Sequence, residues 1–426
     1  MKLGWIDFSP EDRKRAIEAL NALNERTEDE LGTGVIRDAF ASAFFPGTST
    51  LHTRAKYFIL IPCAIRMMLE QFSPAKKPRR ILEELRKVEL GCARRMRDYC
   101  INNCINVESQ GIIGQQELNK AGWIVRAPSE IYWAGLRTFG ISSISSSVTK
   151  WLEYVEGQLA PETGSRAKHS RREEEDGVTD DADTQLADWK ADIIIDEDIF
   201  QDFKNAYEAE ALQPELTQRE ADFLHEQICR STSGSLLEFY LTTGCKPPNP
   251  NRRSDDTATN EEQTSFYQFA QSLHDNDSVS SEMKTLLAAA CAFNRFNFAA
   301  NVLYNKMLGI PEAKTTWDAI RHSVPDLRLD LSSVSELSKS SRISSAVEFL
   351  NDLQEAFQGK NIEKAENRIM ERERLCSKRK EKKAKLDRQG HSEDWVGVKW
   401  HDFRLANAAR ILNDITHPAE DAHEHV

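Results

Sequence analysis

Over residues 81–99 the apolar side chains return every three or four positions, as Ile81, Leu85, Val88, Cys92, Met96 and Tyr99. That period stacks them on one side of a helix, which must then bury its stripe against another element. The same grammar runs through the rest of the chain. Ser9, Pro10 and Asp12 supply an N-cap hydroxyl, a proline at the first helical position and an early acid, predicting a helix that runs to about Leu23. Thr217 with Glu220, and Ser235 with Glu238, have the spacing of capping boxes. Gly244 and Gly309 suit the left-handed position that follows a helix end. Only residues 193–195 (Ile-Ile-Ile) and 141–148 carry strand composition. The expected fold is mainly α, a multi-domain helical protein with at most a few short strands.

A chain of 426 residues exceeds one ordinary core. Residues 157–188 hold Pro, Gly, Ser and dense acid and read as a flexible linker or long loop. Residues 245–264 read as a second polar loop. The expected division is an N-terminal helical domain (1–156), an acidic linker (157–189), a central helical domain (190–340) and a C-terminal helical region (341–426) holding a charged helix.

Charge narrows the functional classes. The net charge is −12, so any nucleic-acid surface must be local. Residues 52–97 provide one: twelve basic residues against four acidic ones, a local charge of +8. Arg80, Lys87 and Arg94 recur at seven and share a helix face, with Arg54 and Lys56 just upstream. A basic face opposite an apolar stripe fits a phosphate-tracking helix, and equally a solvated one. Residues 111–141 have the outline of helix, turn, helix, with Pro128 opening the second helix and Gly140 stopping it. Arg126, Tyr132 and Arg137 would face outward in a DNA-binding module, whereas a plain packed pair would bury Tyr132 and Trp133. The expected nucleic-acid contacts are Arg54, Lys56, Arg80, Lys87, Arg94 and Arg137. Residues 360–388 carry twelve basic and six acidic residues, a net of +6, and read as a solvated arm or a phosphate or partner contact.

Catalytic signatures are missing. No Walker A loop, GxGxxG, GxSxG elbow, HExxH or kinase set occurs. The eight cysteines include no CxxC pair and read as reduced thiols, with Cys100 and Cys104 at helical i,i+4 spacing. No metal or other cofactor is expected. The start lacks a signal-peptide core, and the longest apolar run, near residues 57–65, is interrupted by Pro62. A cytoplasmic protein with no membrane partner is the expectation. Two helical arrays carry polar chemistry. Asn294, Asn297, Asn301 and Asn305 form an amide stripe that suits an interhelical network or a ligand or base contact. Arg410 and His417, with Asn413, share one face and match the loose motif of HEPN ribonucleases, although Ile411 stands where that family has a polar residue.

Several segments also carry a family resemblance: residues 3–12 (LGWIDFSPED), 30–34 (ELGTG), 44–50 (FFPGTST), 54–58 (RAKYF) and 126–137 (RAPSEIYWAGLR). Together they resemble an uncharacterised bacterial family, a domain of unknown function, over nearly the whole chain and most strongly in residues 3–66 and 111–141. Members of that family are often encoded in phage-defence islands beside helicases, phospholipase-D-like nucleases and DNA methyltransferases. The resemblance implies an accessory, non-catalytic subunit whose partners are nucleic acid, DNA ahead of RNA, and a helicase or nuclease. It carries over no catalytic residues. Two alternatives stay open: a metal-independent ribonuclease built on Arg410 and His417, and a protein scaffold whose basic stripe meets an acidic partner or the chain's own residues 173–198.

Overall fold

The structure is a computed structural model that describes residues 29–70, 81–115, 118, 126–159, 192–245, 264–332, 334, 340–380, 382–388 and 394–419. Fourteen α-helices and no strand lie among them, so the fold is mainly α. In chain order the helices are α1 (Gly34–Phe44), α2 (Tyr57–Glu70), α3 (Ile81–Asn102), α4 (Pro128–Thr138), α5 (Val148–Leu159), α6 (Glu197–Glu208) and α7 (Gln218–Ser231). There follow α8 (Leu236–Thr243), α9 (Ser265–His274), α10 (Ser281–Met307), α11 (Pro311–Ile320), α12 (Ser341–Gln358), α13 (Ile362–Arg379) and α14 (Leu405–Thr416). The chain divides into two compact units, each made of two separated stretches. The first comprises Met1–Phe44 and Arg252–Phe403, the second Phe45–Asn251 and Arg404–Val426. This differs from the consecutive domains expected from composition. Compositional breaks mark loops, whereas two of the crossings fall at Phe44-Phe45 and Phe403-Arg404, where nothing in the sequence changes character. The predicted first helix, residues 160–189 of the predicted linker and residues 246–263 of the second predicted loop lie outside the described residues.

In the first unit α10 is the central element, with α1, α9, α11 and α13 packed around it. An aromatic cluster of Phe40, Phe44, Phe266, Phe293 and Phe403 fills the core, the Phe266–Phe403 centroids being 4.4 Å apart. By length and composition α10 could cross a membrane, yet two thirds of its apolar window is buried inside this unit, alongside three buried asparagines. Those asparagines hold an irregular segment in place. Asn294 Nδ2 donates to the His401 carbonyl at 3.0 Å and its Oδ1 accepts the His401 N–H at 2.9 Å. Asn305 does the same for Val396, at 3.0 and 2.8 Å. Each carboxamide imitates a neighbouring strand, giving residues 396–401 the backbone partners they lack.

The charged stretch at 360–388 is no solvated arm. Its helix ends at Arg379, and the inner face of α13 buries Arg372 and Glu373. Arg372 donates to the Leu31, Gly32 and Ser345 carbonyls. Glu373 accepts from the Tyr304 hydroxyl and from the N–H groups of Lys385 and Leu386. Gly32 has φ +62°, and a Cβ there would lie 2.8 Å from Cys376 Sγ, so the tight approach of residues 30–34 to α13 requires glycine.

In the second unit α2 is buried almost throughout and packs against α3, α4 and α6. The capping box at Thr217 forms as predicted. At Ser235 the hydroxyl caps Glu238 N, while the Glu238 carboxylate reaches Gly234 N. Gly244 and Gly309 adopt positive φ. The two strand candidates meet in a single antiparallel bridge between Ser142 and Ile193. Cys104, also at positive φ, lies past the end of α3, so it shares no helix face with Cys100.

Asn305→Ala strips partners from a buried N–H and a buried carbonyl and should lower the stability of the first unit by roughly 2–4 kcal/mol. Asn301→Ala, one turn away, removes a carboxamide with no hydrogen bond among the described residues and should change it by less than about 0.5 kcal/mol. Denaturant unfolding, with hydrogen exchange read at residues 396–401, distinguishes the two.

Candidate nucleic-acid interface

Among the described residues of the basic window at 52–97, four cations are paired by acids from distant parts of the chain. Arg54 Nε donates to Asp414 at 3.0 Å and its Nη1 to Gln110. Lys56 is buried, its Nζ 2.7 Å from Glu220, the same carboxylate that closes the α7 capping box. Arg66 pairs with Glu197 at 2.6 Å while its guanidinium lies 3.9 Å over the Phe200 ring. Arg86 pairs with Glu130 at 2.6 Å. Arg95 donates to the Tyr207 carbonyl and stacks over that ring at 3.8 Å. None of these acids belongs to the 52–97 window, which is why its sequence charge overstates its charge in space.

Two of the expected contacts remain on the outside of α3. Lys87 is exposed and, among the described residues, pairs with Glu84, three residues back. Arg94, one heptad further, is exposed and makes no hydrogen bond or ion pair among the described residues. Arg80, the preceding member of the series, lies outside the described residues. Arg137 is exposed at the end of α4, where its Nη1 donates to the Ser145 carbonyl at 2.7 Å. Of the expected helix-turn-helix, most of the first helix falls outside the described residues. The second is α4, opened by Pro128 and followed by Gly140 at φ +68°. It is a packed helix: Tyr132 and Trp133 are buried. The Tyr132 ring stacks on His52 at 4.1 Å, and its hydroxyl accepts from the N–H groups of Thr53 and Arg54 while donating to the Arg54 carbonyl. Tyr132 therefore pins the loop carrying Arg54 and faces inward. Burial lowers the His52 pKa to about 4, so its ring stays neutral within this stack.

α14 completes the same loop. Arg404 Nη1 donates to the Thr48 carbonyl, and Asn407 Nδ2 to the carbonyls of Thr50 and His52. Asp414 accepts the Ala55 N–H at 2.8 Å. Arg410, on the same helix, is half-buried with no hydrogen bond or ion pair among the described residues. His417 is the exposed C-cap, its Nδ1 2.9 Å from the Thr416 hydroxyl. Seven residues separate them, about 10 Å of helix rise.

The amide stripe of the first unit borders a polar cleft with Asp29, Thr33, Arg37, Asn297, Asn301 and His401. The Thr33 hydroxyl donates to Asn297 Oδ1 at 2.8 Å, and Asn297 Nδ2 lies 3.0 Å from His401 Nε2. Burial, aided by Arg37, lowers the His401 pKa to about 3, so this ring too is a neutral partner. The cleft leaves 20 Å³ for water-sized groups, room for about one water.

One acid was hidden in the apolar stripe of α3. Glu89 is buried, and its Oε1 accepts the Ser129 N–H at 2.7 Å, capping the first turn of α4. Among the described residues, Glu89 Oε2 and Ser129 Oγ have no hydrogen-bond partner. Burial pushes the carboxyl up to about 7 from 4.5, against the opposing effects of Ser129 and Arg86. Because the folded pKa is the higher one, the stabilisation is complete below pH 4.5 and is lost as pH rises towards 7. Glu89→Gln keeps the acceptor and removes the charge. It should match the native protein near pH 4.5 and exceed it by about 3 kcal/mol above pH 7, as read from urea unfolding at several pH values.

Residues 1–202 match the model of a family of unknown function, DUF6361. No curated protein and no solved structure matches the chain. The matched region includes the 30–34 turn, the pinned 45–55 loop and α1 to α5, and it ends within α6. Over its first 202 residues, the chain is similar to an uncharacterised family.

Proposed function

We propose that this protein is a non-catalytic accessory subunit that binds nucleic acid, DNA ahead of RNA, through the outer face of α3. In this reading it works in the cytoplasm within a bacterial phage-defence system, alongside a helicase or nuclease. The defence setting comes from the family resemblance. The observation that carries the binding surface is the pair Lys87 and Arg94, exposed one heptad apart on α3. The rest of α3 is fixed: its inner face is buried, Arg86 ties it to α4, and Arg95 ties it to Tyr207. A rigid helix with cations on one outer line meets successive phosphates without reordering. Arg54 and Lys56 are held internally by Asp414 and Glu220, and Arg137 is a further exposed cation at the end of α4.

The test is fluorescence anisotropy of the full chain with labelled duplex DNA, single-stranded DNA and RNA at low and high salt. Lys87→Glu with Arg94→Glu should weaken duplex binding at least ten-fold and reduce the slope of log K against log salt by about 1.8, two phosphate contacts' worth. Native binding by that double variant would remove the α3 face. Failure of the unaltered chain to bind any of the three would remove the nucleic-acid reading and leave a protein-docking role. Lys56→Met, by contrast, should act through folding, costing about 3–5 kcal/mol by stranding the buried Glu220 carboxylate.

A further inference from the structure

The first unit carries a different kind of recess, between α9 and α10. Tyr267, Gln271 and His274 line it from α9 at i, i+4 and i+7, and Lys284 faces them from α10. Its apolar surface is Ala270, Leu287 and Ala288. The space open to water-sized groups is 150 Å³, several times that of the polar cleft. The Tyr267 ring and hydroxyl, the Gln271 carboxamide and the Lys284 ammonium make no hydrogen bond, ion pair or ring contact among the described residues. No carboxylate lines the recess, although Asp275 lies beside it, 3.2 Å from His274. In a chain of net charge −12, Lys284 thus faces a slot whose lining holds no acid.

We infer that this recess is a nucleotide site for single-stranded nucleic acid, holding one base between Tyr267 and the Leu287–Ala288 wall of α10 with its phosphate against Lys284. The inference rests on the nucleic-acid reading above and adds a contact in the first unit. Three features favour a nucleotide over an acidic peptide. Ala288 on α10 and Ala270 one turn from Tyr267 on α9 are small and leave room beside the ring for a planar base. Tyr267 supplies a π face, and base stacking on an aromatic tolerates any base. Gln271 supplies a donor and an acceptor beside the ring, which match the hydrogen-bonding edge of a base. A duplex keeps that edge paired and its faces stacked, so the strand must be single.

The experiment is photocrosslinking of the full chain to a short oligonucleotide carrying 5-iodouracil, with the crosslinked peptide mapped by mass spectrometry and affinity measured by anisotropy. The expected result is a crosslink on the peptide holding Tyr267. Tyr267→Ala should weaken oligonucleotide binding roughly ten-fold, with Tyr267→Phe close to native. Lys284→Glu should weaken it further and lower the salt slope by about 0.7, the value for one single-strand phosphate. If the oligonucleotide binds but crosslinks elsewhere and Tyr267→Ala binds as the native chain does, the recess is not the site while the α3 reading stands. If neither oligonucleotide nor duplex binds, both readings fall. If a polyglutamate peptide shields Lys284 from acylation and the oligonucleotide does not, the recess belongs to an acidic peptide and the nucleotide assignment is overturned.

Discussion

The Asp414 carboxylate accepts the Arg54 guanidinium at 3.0 Å and the Ala55 N–H at 2.8 Å, across about 360 residues of chain. Much of the second unit depends on that contact. The loop at 45–55 closes short turns of its own at Phe45–Thr48 and Ser49–His52, and its carbonyls at 48, 50 and 52 are met by Arg404 and Asn407 at the start of the helix that presents Asp414. Tyr132 closes the loop from the other side. Burial raises the Asp414 pKa, with Arg54 and the Ala55 N–H opposing the shift. The contact is therefore worth most as a positional lock: Oδ2 of a largely buried carboxylate takes both the Arg54 and the Ala55 donors, which fixes where the loop can sit. The family-matched segment ends at residue 202, yet its loop is finished by a helix that begins at 405.

The first unit solves the same problem with neutral groups. Residues 394–403 run through its interior without helix or strand, so their backbone amides need partners from side chains. Asparagine has donor and acceptor at the spacing of a peptide group, and α10 places asparagines at 294 and 305, eleven residues or three turns apart, to take Val396 and His401. The cost in helix propensity is accepted because carboxamides carry no charge into the core. Asn297 is the variation: it turns from the segment's backbone to the His401 ring and the Thr33 hydroxyl, linking the 30–34 turn into the network.

Legibility in the sequence followed the range of the forces involved. Caps are local, and Thr217 with Glu220 reads the same in both descriptions. The α3 stripe was legible at Ile81, Leu85, Cys92 and Met96, all buried. Glu89 escaped because a carboxylate inside an apolar stripe looks like a break in the pattern until its partner, the amide of Ser129, is in place. Lys56 escaped for the reverse reason. Its neighbours in sequence are basic or apolar, and the acid that claims it arrives from α7. The amide stripe was visible as a stripe, but its partners at 396 and 401 sit in a segment with no periodicity to announce it. Discontinuous units are illegible for the same reason, since a chain that leaves a core and returns changes neither composition nor period where it crosses.

Internal pairing also sets the kind of binding such a surface can support. With a net charge of −12, the molecule offers a polyanion no attraction at long range. At physiological salt, fields fade within about 8 Å, so Lys87 and Arg94 act only on a phosphate already at contact distance. Association is then unsteered and slow to find its target from solution, while the short-range contacts, once made, retain their value. A protein with that balance depends on being brought to nucleic acid by something else. On the proposed reading, that balance favours an accessory role beside a helicase or nuclease over independent search along DNA.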